Sequence, residues 1–566
     1  MQTMRKHASA AASFSQFDEL HTPRGWNPLT LAALASLWLA SVCNWPLWRA
    51  MSGLPELSSA RGVLFMLAFG GIIFCVILLL LSLAAWPRSV KAVVAVFLVS
   101  AALCAHFMGS YGVVIDPTMM LNVVQTDVRE TRDLIGWPML LSVVLLAVLP
   151  MLWLWRAPVR QLKFGAQLGR NLLVVVTLCF VIAGLVLASF ADLSSTMRNH
   201  KTMRYLINPL NAYFGLVVNA AQANAKPKGQ PQAIALDAKV TRAASAKPPL
   251  LLLVVGETAR ADHFSLNGYP RPTNPELTAL GVTSFRDVTS CGTNTAASLP
   301  CMFSHLGKRA FEARERDHEN LLDVLQRAGL AVLWLDNQSG CKGLCDRVPN
   351  AYASVPATVN RSVPEGLCAN GECLDAALLH DMEARLMALS EARRKQGVVI
   401  VMHQMGSHGP AYFKRSPRER KPFLPECTNS ALQKCDRVAL INAYDNSIAY
   451  TDHVLASNIA WLKSNASGFD AQMLYVSDHG ESLGENNLYL HGLPFAVAPR
   501  AQKHVPMIFW QDATLGAAGL LSACLTGLRD TAFTHDNLFH TVLGLVGVAS
   551  ADYQKPLDAF ASCRSH

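Results

Sequence analysis

Leu250-Leu251-Leu252-Leu253-Val254-Val255-Gly256-Glu257-Thr258 is an unbroken apolar run closed by a glycine, a carboxylate and a hydroxyl. A strand with one face in water alternates polar and apolar side chains; this run has no polar face, so it reads as a strand buried on both sides. Similar runs follow at Ala331–Leu335, Val398–Met402, Met473–Val476 and Val505–Trp510, separated by helix-like stretches such as Asp375–Ser390 and Val438–Lys463. The pattern predicts parallel strands with crossover helices, an α/β domain with helices on both faces of its sheet.

Upstream of this domain the character changes. Between Ala220 and Pro249 the chain is rich in Ala, Lys, Gln and Pro without apolar periodicity and reads as a linker. A bridging region, Asp192–Asn219, keeps some apolar residues and is expected along a membrane surface. Before it come five runs long enough to cross a bilayer, free of Asp, Glu, Lys and Arg: Leu29–Trp48, Gly62–Trp86, Ala92–Tyr111, Trp137–Trp155 and Leu172–Ala191. Several end in Trp, as interfacial anchors do, and the first lacks a small-residue cleavage site, so it reads as a retained anchor. Of the 566 residues, 51% are hydrophobic and 16% charged, with a mean hydropathy of +0.24, which excludes a disordered or nucleic-acid-coating chain. Lys and Arg number nine in the N-terminal tail and the second and fourth loops, against four in the first and third. The positive-inside rule then makes the N-terminus cytoplasmic and everything after Ala191 extracytoplasmic.

The cysteines agree. Cys43, Cys75, Cys104 and Cys179 lie inside the apolar runs, where a thiol is a small hydrophobe. The other ten, Cys291, Cys301, Cys341, Cys345, Cys368, Cys373, Cys427, Cys435, Cys524 and Cys563, all follow residue 290 and read as a disulfide framework of open connectivity. A structural zinc site is the rival reading, but the pairs lack C-x2-C spacing.

Ligand sites in α/β sheets form beyond the carboxyl ends of strands. Glu257 follows the first run, His403 the third, and Ser477-Asp478-His479 the fourth. A carboxylate and an Asp-His pair converging there would suit a divalent cation, and mixed imidazole and carboxylate favours zinc. The segment Ser290-Cys291-Gly292-Thr293-Asn294-Thr295-Ala296-Ala297-Ser298-Leu299-Pro300-Cys301 passes from small residues into a helical pattern, placing Thr295 near a helix N-terminus that favours phosphate. A zinc-bound hydroxyl there could attack phosphorus; the plainer reading makes Thr293 or Thr295 only a helix cap.

Together these motifs resemble those of the membrane-bound phosphoethanolamine transferases that modify lipid A, within the alkaline phosphatase and sulfatase superfamily. The resemblance covers nearly the whole chain. It rests on the five-helix anchor, Gly256-Glu257-Thr258-Ala259-Arg260-Ala261-Asp262-His263, the Cys-Gly-Thr-Asn-Thr segment, His403-Gln404-Met405-Gly406-Ser407-His408-Gly409-Pro410 and Ser477-Asp478-His479-Gly480-Glu481-Ser482-Leu483-Gly484-Glu485. It implies Glu257, Thr295, Asp478 and His479 as ligands of a catalytic zinc and Thr295 as the nucleophile. His408 and His491 would stand by the phosphoryl group or an additional zinc, and Lys342 near the bound phosphate. Asn122, Thr126 and Glu130, four residues apart and on one face if helical, would meet the lipid head group. The implied fold is a five-helix transmembrane anchor followed by an α/β alkaline-phosphatase-like periplasmic domain. Its expected parts are a cytoplasmic tail (1–28), anchor (29–191), bridge and linker (192–248) and catalytic domain (249–566). The implied partners are phosphatidylethanolamine, lipid A and the bacterial inner membrane, with no nucleic acid, and a monomer is expected.

Three other readings remain on the sequence. A sulfatase needs C-x-P-x-R or S-x-P-x-R, which Cys291–Thr295 does not supply; a lipoteichoic-acid-type polymerase shares five helices and a threonine nucleophile, but the paired cysteines and the Cys-Gly-Thr-Asn-Thr segment fit the ethanolamine family better. A membrane-tethered zinc sensor without turnover would bind zinc but form no covalent intermediate. The charge fits an anchored enzyme: residues 1–205 hold 16 basic and 8 acidic residues, while 206–566 hold 33 and 32. The excess lies in the membrane half, not on a polyanion-binding surface.

Overall fold

In the computed structural model, which describes residues 25–126, 128–225, 229–241, 247–355, 363–364, 366–369, 372–512 and 520–564, the run at Leu250 forms strand β1 (Pro249–Gly256), buried throughout. The remaining strands of its sheet are β2 (Thr283–Thr289), β3 (Ala331–Asp336), β4 (Asn350–Tyr352), β5 (Val398–His403), β6 (Asp470–Ser477), β7 (His504–Gln511) and β8 (Phe533–Thr534). They lie in the order β8-β2-β7-β6-β1-β5-β3-β4. All five apolar runs are strands, and β1 lies parallel to β5 and β6 at the centre. The expectation of parallel strands fails at one: β7 runs antiparallel to both β6 and β2. A continuous apolar run reports burial on both faces and carries no information about direction.

Alternate residues along these strands feed two cores. Leu251, Leu253, Val255, Val399, Val401, Leu474 and Val476 share a buried cluster with Leu321, Leu322 and Leu325 of the helix Leu321–Arg327 and Phe539, Val542 and Leu543 of the helix Leu538–Leu545. Each such side chain contributes about 1.5–3 kcal/mol on burial. The long helix Arg437–Asn465 packs on β6, and its Asn458 amide lies 3.5 Å from the Met402 sulfur. It starts where Asp436 caps the amides of Val438 and Ala439. The stretch expected as one helix at Asp375–Ser390 is divided, with a 3-10 turn at Asp375–Leu379 and a helix at Met382–Ala388, because Asp381 takes a left-handed conformation between them (φ 55°).

The linker is more structured than its composition implies. The helix Leu210–Ala225 reaches into it, Ile234 and Ala235 join the core, and Lys239–Val240 pairs antiparallel with Val548–Ala549. All ten late cysteines are paired: Cys291–Cys301, Cys341–Cys345, Cys368–Cys373, Cys427–Cys435 and Cys524–Cys563. That removes them as zinc ligands.

Among the described residues, four helices are long and apolar enough to cross a membrane: Ala60–Leu83, Val90–Tyr111, Trp137–Arg156 and Phe164–Ala188. The first apolar run is broken into Pro28–Ser41 and Trp45–Ser52, which makes a fifth span if the pair is one. Pro46 has no N–H for a helix passing through Asn44, so the chain restarts there. The last span begins earlier than the run at Leu172, because the helix continues back to Phe164. Gln167 and Asn171 are buried within it, with the Gln167 amide donating to Ala85 O (3.0 Å) and Asn171 Oδ1 (2.7 Å). The third of the four carries a π-helical stretch, Val144–Val148, just before Pro150, the usual accommodation of a missing backbone donor. Contacts divide the chain into two units. One comprises 1–43, 54–102 and 144–194, and the other 44–53, 103–143 and 195–566. The stretch 1–28, expected as a cytoplasmic tail, lies mostly outside the described residues.

Candidate active site

Register builds the site. Gly256 pairs with Ser477 across β1 and β6, so the next residues, Glu257 and Asp478, leave the sheet side by side, and the Asp478 amide donates to Gly256 O (3.0 Å). Asp478 Oδ1 accepts the amides of Thr258 (3.2 Å) and His479 (2.7 Å), while its Oδ2 is buried without a hydrogen bond. His479 Nδ1 donates to Gly480 O (3.0 Å), so Nε2 carries the lone pair when the ring is neutral, the form that binds a metal. That Nε2 is 3.2 Å from Glu257 Oε1 and 3.3 Å from Asp478 Oδ2.

Thr295 opens the helix Thr295–Met302, capped by the Asn294 side chain on Ala297 N. Its hydroxyl lies 3.0 and 3.1 Å from the two Glu257 oxygens and 3.4 Å from His479 Nε2. Ser298, one turn on, donates to Asp478 O (2.5 Å), tying the helix to the end of β6. Gly292 sits so close to that helix that a Cβ would lie 2.7 Å from Ser298 N, and the Cys291–Cys301 disulfide closes the loop around it. Donor atoms of a tetrahedral ion with bonds of about 2.0–2.2 Å lie about 3.3–3.6 Å apart. Thr295 lies 3.0–3.4 Å from Glu257 and His479, and His479 3.2 and 3.3 Å from Glu257 and Asp478, and the orphaned Asp478 Oδ2 supplies a donor in need of a partner. The four residues therefore fit a small divalent cation.

Electrostatics agree with a site built to hold positive charge. Burial opposes ionisation of Glu257, but the hydrogen bond and charge of His479, with His408 and His403, hold its carboxyl well below the usual carboxylate range. Burial and the neighbouring Glu257 push Asp478 up to about 7. His479 is raised to about 10, since Asp478 and Glu257 outweigh the burial that disfavours its charge.

The structure also brings His491 and His408 here. The His491 ring is 4.4 Å from that of His479 and 5.4 Å from that of His408. Burial first, and then His479 and His408, keep His491 below the ordinary imidazole range, although Glu481, 3.3 Å away, pulls the other way. Lys342 donates to Ser339 Oγ (2.8 Å), Ser339 O (3.2 Å) and Gln125 O (3.3 Å), so it stands at the end of the helix Pro117–Gln125. That helix packs on Thr295–Met302. It ends before Thr126, which is extended and turns its hydroxyl back to Asn122 O (2.8 Å). Asn122, Thr126 and Glu130 therefore do not share one helical face. Glu130 is the third residue of another helix, Val128–Leu134, and its side chain lies outside the described residues.

Two residues here, His535 and Asp375, carry no local sequence signal, whereas Asp336 closes an apolar run. His535 bridges two parts of the site: it accepts Cys291 N at Nδ1 (3.0 Å) and donates from Nε2 to Ser477 O (3.0 Å). Asp375 accepts the amides of Met405 (2.8 Å) and Gly406 (2.9 Å), and a Cβ on Gly406 would lie 2.7 Å from Glu257 O. Asp336, at the end of β3, holds His403 Nδ1 (3.0 Å). Beside the Met405–Gly406 turn opens a cavity of about 550 Å³, lined by Arg132, Glu372, Asp375, Lys414 and Arg415 among others.

A largely parallel sheet that gathers a hydroxyl, two carboxylates and an imidazole at its strand ends defines the alkaline phosphatase and sulfatase superfamily fold, and the family model described as Sulfatase matches residues 249–548. A second, described as phosphoethanolamine transferase EptA/EptB, matches residues 73–223. The chain belongs to the phosphoethanolamine transferase family. It is 38% identical over 545 residues to the phosphatidylethanolamine transferase Mcr-1 of Escherichia coli, covering 95% of this chain and 98% of that one. With the phosphoethanolamine transferase EptA of Escherichia coli strain K12 it shares 36% identity, over 95% and 97% of the two chains. The solved lipooligosaccharide phosphoethanolamine transferase A of Neisseria meningitidis, an integral membrane protein, superposes with a TM-score of 0.87 at 32% identity, covering 95% of this chain and 99% of that one.

Proposed function

We propose that this protein transfers phosphoethanolamine from phosphatidylethanolamine to a phosphate of lipid A, through an intermediate on Thr295. The observation that carries the reading is the Thr295 hydroxyl, at a helix N-terminus and 3.0–3.4 Å from Glu257 and His479. Thr295 Oγ1 attacks phosphorus as the bond to the diacylglycerol oxygen breaks; the hydroxyl proton leaves toward Glu257 and is returned to the departing oxygen, which gives neutral diacylglycerol. A lipid A phosphate oxygen then attacks the same phosphorus and releases the threonine. Free amides in the first turn of the helix favour the phosphoryl oxygens, while His408 and His491 border the group and Lys342 stands at the head-group segment. Zinc, held by Glu257, Thr295, Asp478 and His479, would supply Lewis acidity that acidifies the hydroxyl and offsets charge at phosphorus; imidazole beside carboxylate favours it over magnesium or calcium.

The broken helix Pro28–Ser41 and Trp45–Ser52 is one span in this reading, which gives five crossings and places residues 249–566 in the periplasm of a bacterial inner membrane. Residues 1–28 form the cytoplasmic tail, 29–191 the anchor and 192–248 the bridge and linker. The protein works as a monomer whose anchor holds the site near two lipid-borne substrates.

The test is mass spectrometry of full-length protein incubated with zinc and phosphatidylethanolamine vesicles. A phosphoethanolamine adduct on Thr295 is expected. An adduct-free protein, or lipid A still modified in cells carrying Thr295→Ala, would overturn the reading. Lipid A left unmodified beside a modified lipopolysaccharide core would shift the acceptor and keep the chemistry.

A further inference from the structure

Arg415 is a buried arginine with three tasks. Its Nε donates to the main-chain oxygen of His408 (2.9 Å), its Nη2 to Asp133 Oδ2 (2.7 Å), and its Nη1 lies 3.5 Å from Glu372 Oε2. The guanidinium is 6% exposed and the Asp133 carboxylate 4%. Lys414 also pairs with Asp133, through Oδ1, and lies 3.8 Å from Glu372. Glu372 belongs to a two-stranded hairpin closed by Cys368–Cys373. Asp133 sits on Val128–Leu134, in the same connecting segment as Asn122 and Thr126, whose helix Pro117–Gln125 packs on the nucleophile's helix and receives Lys342 at its end.

A buried ion pair is costly to form and strongly destabilising to break from one side, so it fixes geometry more than it adds stability. Planar guanidinium can serve three acceptors in fixed directions, which an ammonium cannot. We propose that Arg415 and Asp133 are positioning residues for the donor lipid. They lock the Asn122–Thr126 segment to the main chain of His408, and so hold the head-group contacts in register with Thr295. The inference rests on the transferase reading above and adds to it the device that aligns the donor.

Steady-state kinetics on the full-length protein separate this role from simple support of the fold. Two substrates serve as probes: phosphatidylethanolamine in vesicles, and the soluble ester p-nitrophenyl phosphate, which has no ethanolamine head group for the segment to hold. Asp133→Asn and Arg415→Lys are each expected to raise the KM for the vesicle donor on the order of tenfold with kcat little changed, and the double variant to do little more than either single one. Turnover of the soluble ester should shift by less than about threefold. Equal losses on both substrates, or no loss on either, overturn the proposal. Wild-type protein that forms no Thr295 adduct from either substrate overturns the transferase reading itself; wild-type activity with indifferent variants overturns only the positioning role.

Discussion

Asp478 shows how one side chain divides its work. Oδ1 is held by two amides, and Oδ2 is left bare in a buried site. Asp478→Asn keeps the shape and Oδ1, but replaces the bare oxygen with an amide. Zinc affinity, measured by chelator competition, should fall on the order of 100-fold, with adduct formation lost in step. His535 makes a different prediction. Burial drives its imidazole down to about 3, so it stays neutral where an unfolded histidine would protonate near 6.5. Between those values the unfolded state binds the extra proton, so stability is fully present above pH 6.5 and is lost as the pH falls toward 3. About 2 kcal/mol should disappear between pH 7 and pH 5. Melting curves of His535→Gln should start lower at pH 7 and fall less steeply with acid than wild type. At this scale the strand ends that carry Glu257, Asp478 and His479 and the helix start at Thr295 were legible, since each follows a readable strand or opens a readable helix. His535 was not: it joins Cys291 and Ser477 from 244 and 58 residues away, with no pattern around it.

The helix that Thr295 opens is eight residues long, too short to be stable alone, and its position depends on what fastens it. Ser298 bonds to Asp478 O, Gly292 permits the close approach of the preceding loop, and Cys291–Cys301 ties the two ends. Gly292→Ala places a methyl group against backbone, and should cost about 1–3 kcal/mol and slow adduct formation by displacing Thr295; a variant with wild-type melting and rate would refute this. Cys291→Ser with Cys301→Ser should lower stability by about 2–3 kcal/mol through the released loop entropy, read from thermal melts against oxidised wild type. Elements were legible where their period was long. All five apolar runs became strands, and Arg437–Asn465 matched its helical stretch, yet the direction of β7 and the break at Thr126 did not show. Direction is set by which neighbours a strand meets, and the break by packing around a segment whose own spacing suits a continuous helix.

Across the whole molecule, the charge surplus falls in residues 1–205, which hold the long apolar helices, while 206–566 are near balance. If the anchor serves to hold the site beside lipid substrates, residues 229–566 expressed alone, which keep Ile234, Ala235 and the Lys239–Val240 pairing, should still turn over the soluble ester but modify vesicle phosphatidylethanolamine at least about 100-fold more slowly than the full chain. Comparable rates on vesicles would show that the anchor is dispensable. The sequence by itself determined the apolar spans, the buried sheet, and which strand ends carry carboxylate and imidazole. These depend on local burial and periodicity, which a chain records in consecutive residues. Only the tertiary structure decided that Glu257 and Asp478 emerge as neighbours, that His408, His491 and His479 form a series, and that Asp133 reaches Arg415 across 282 positions. Such contacts form between segments whose separate patterns are complete without each other, so their meeting is written in packing and register alone.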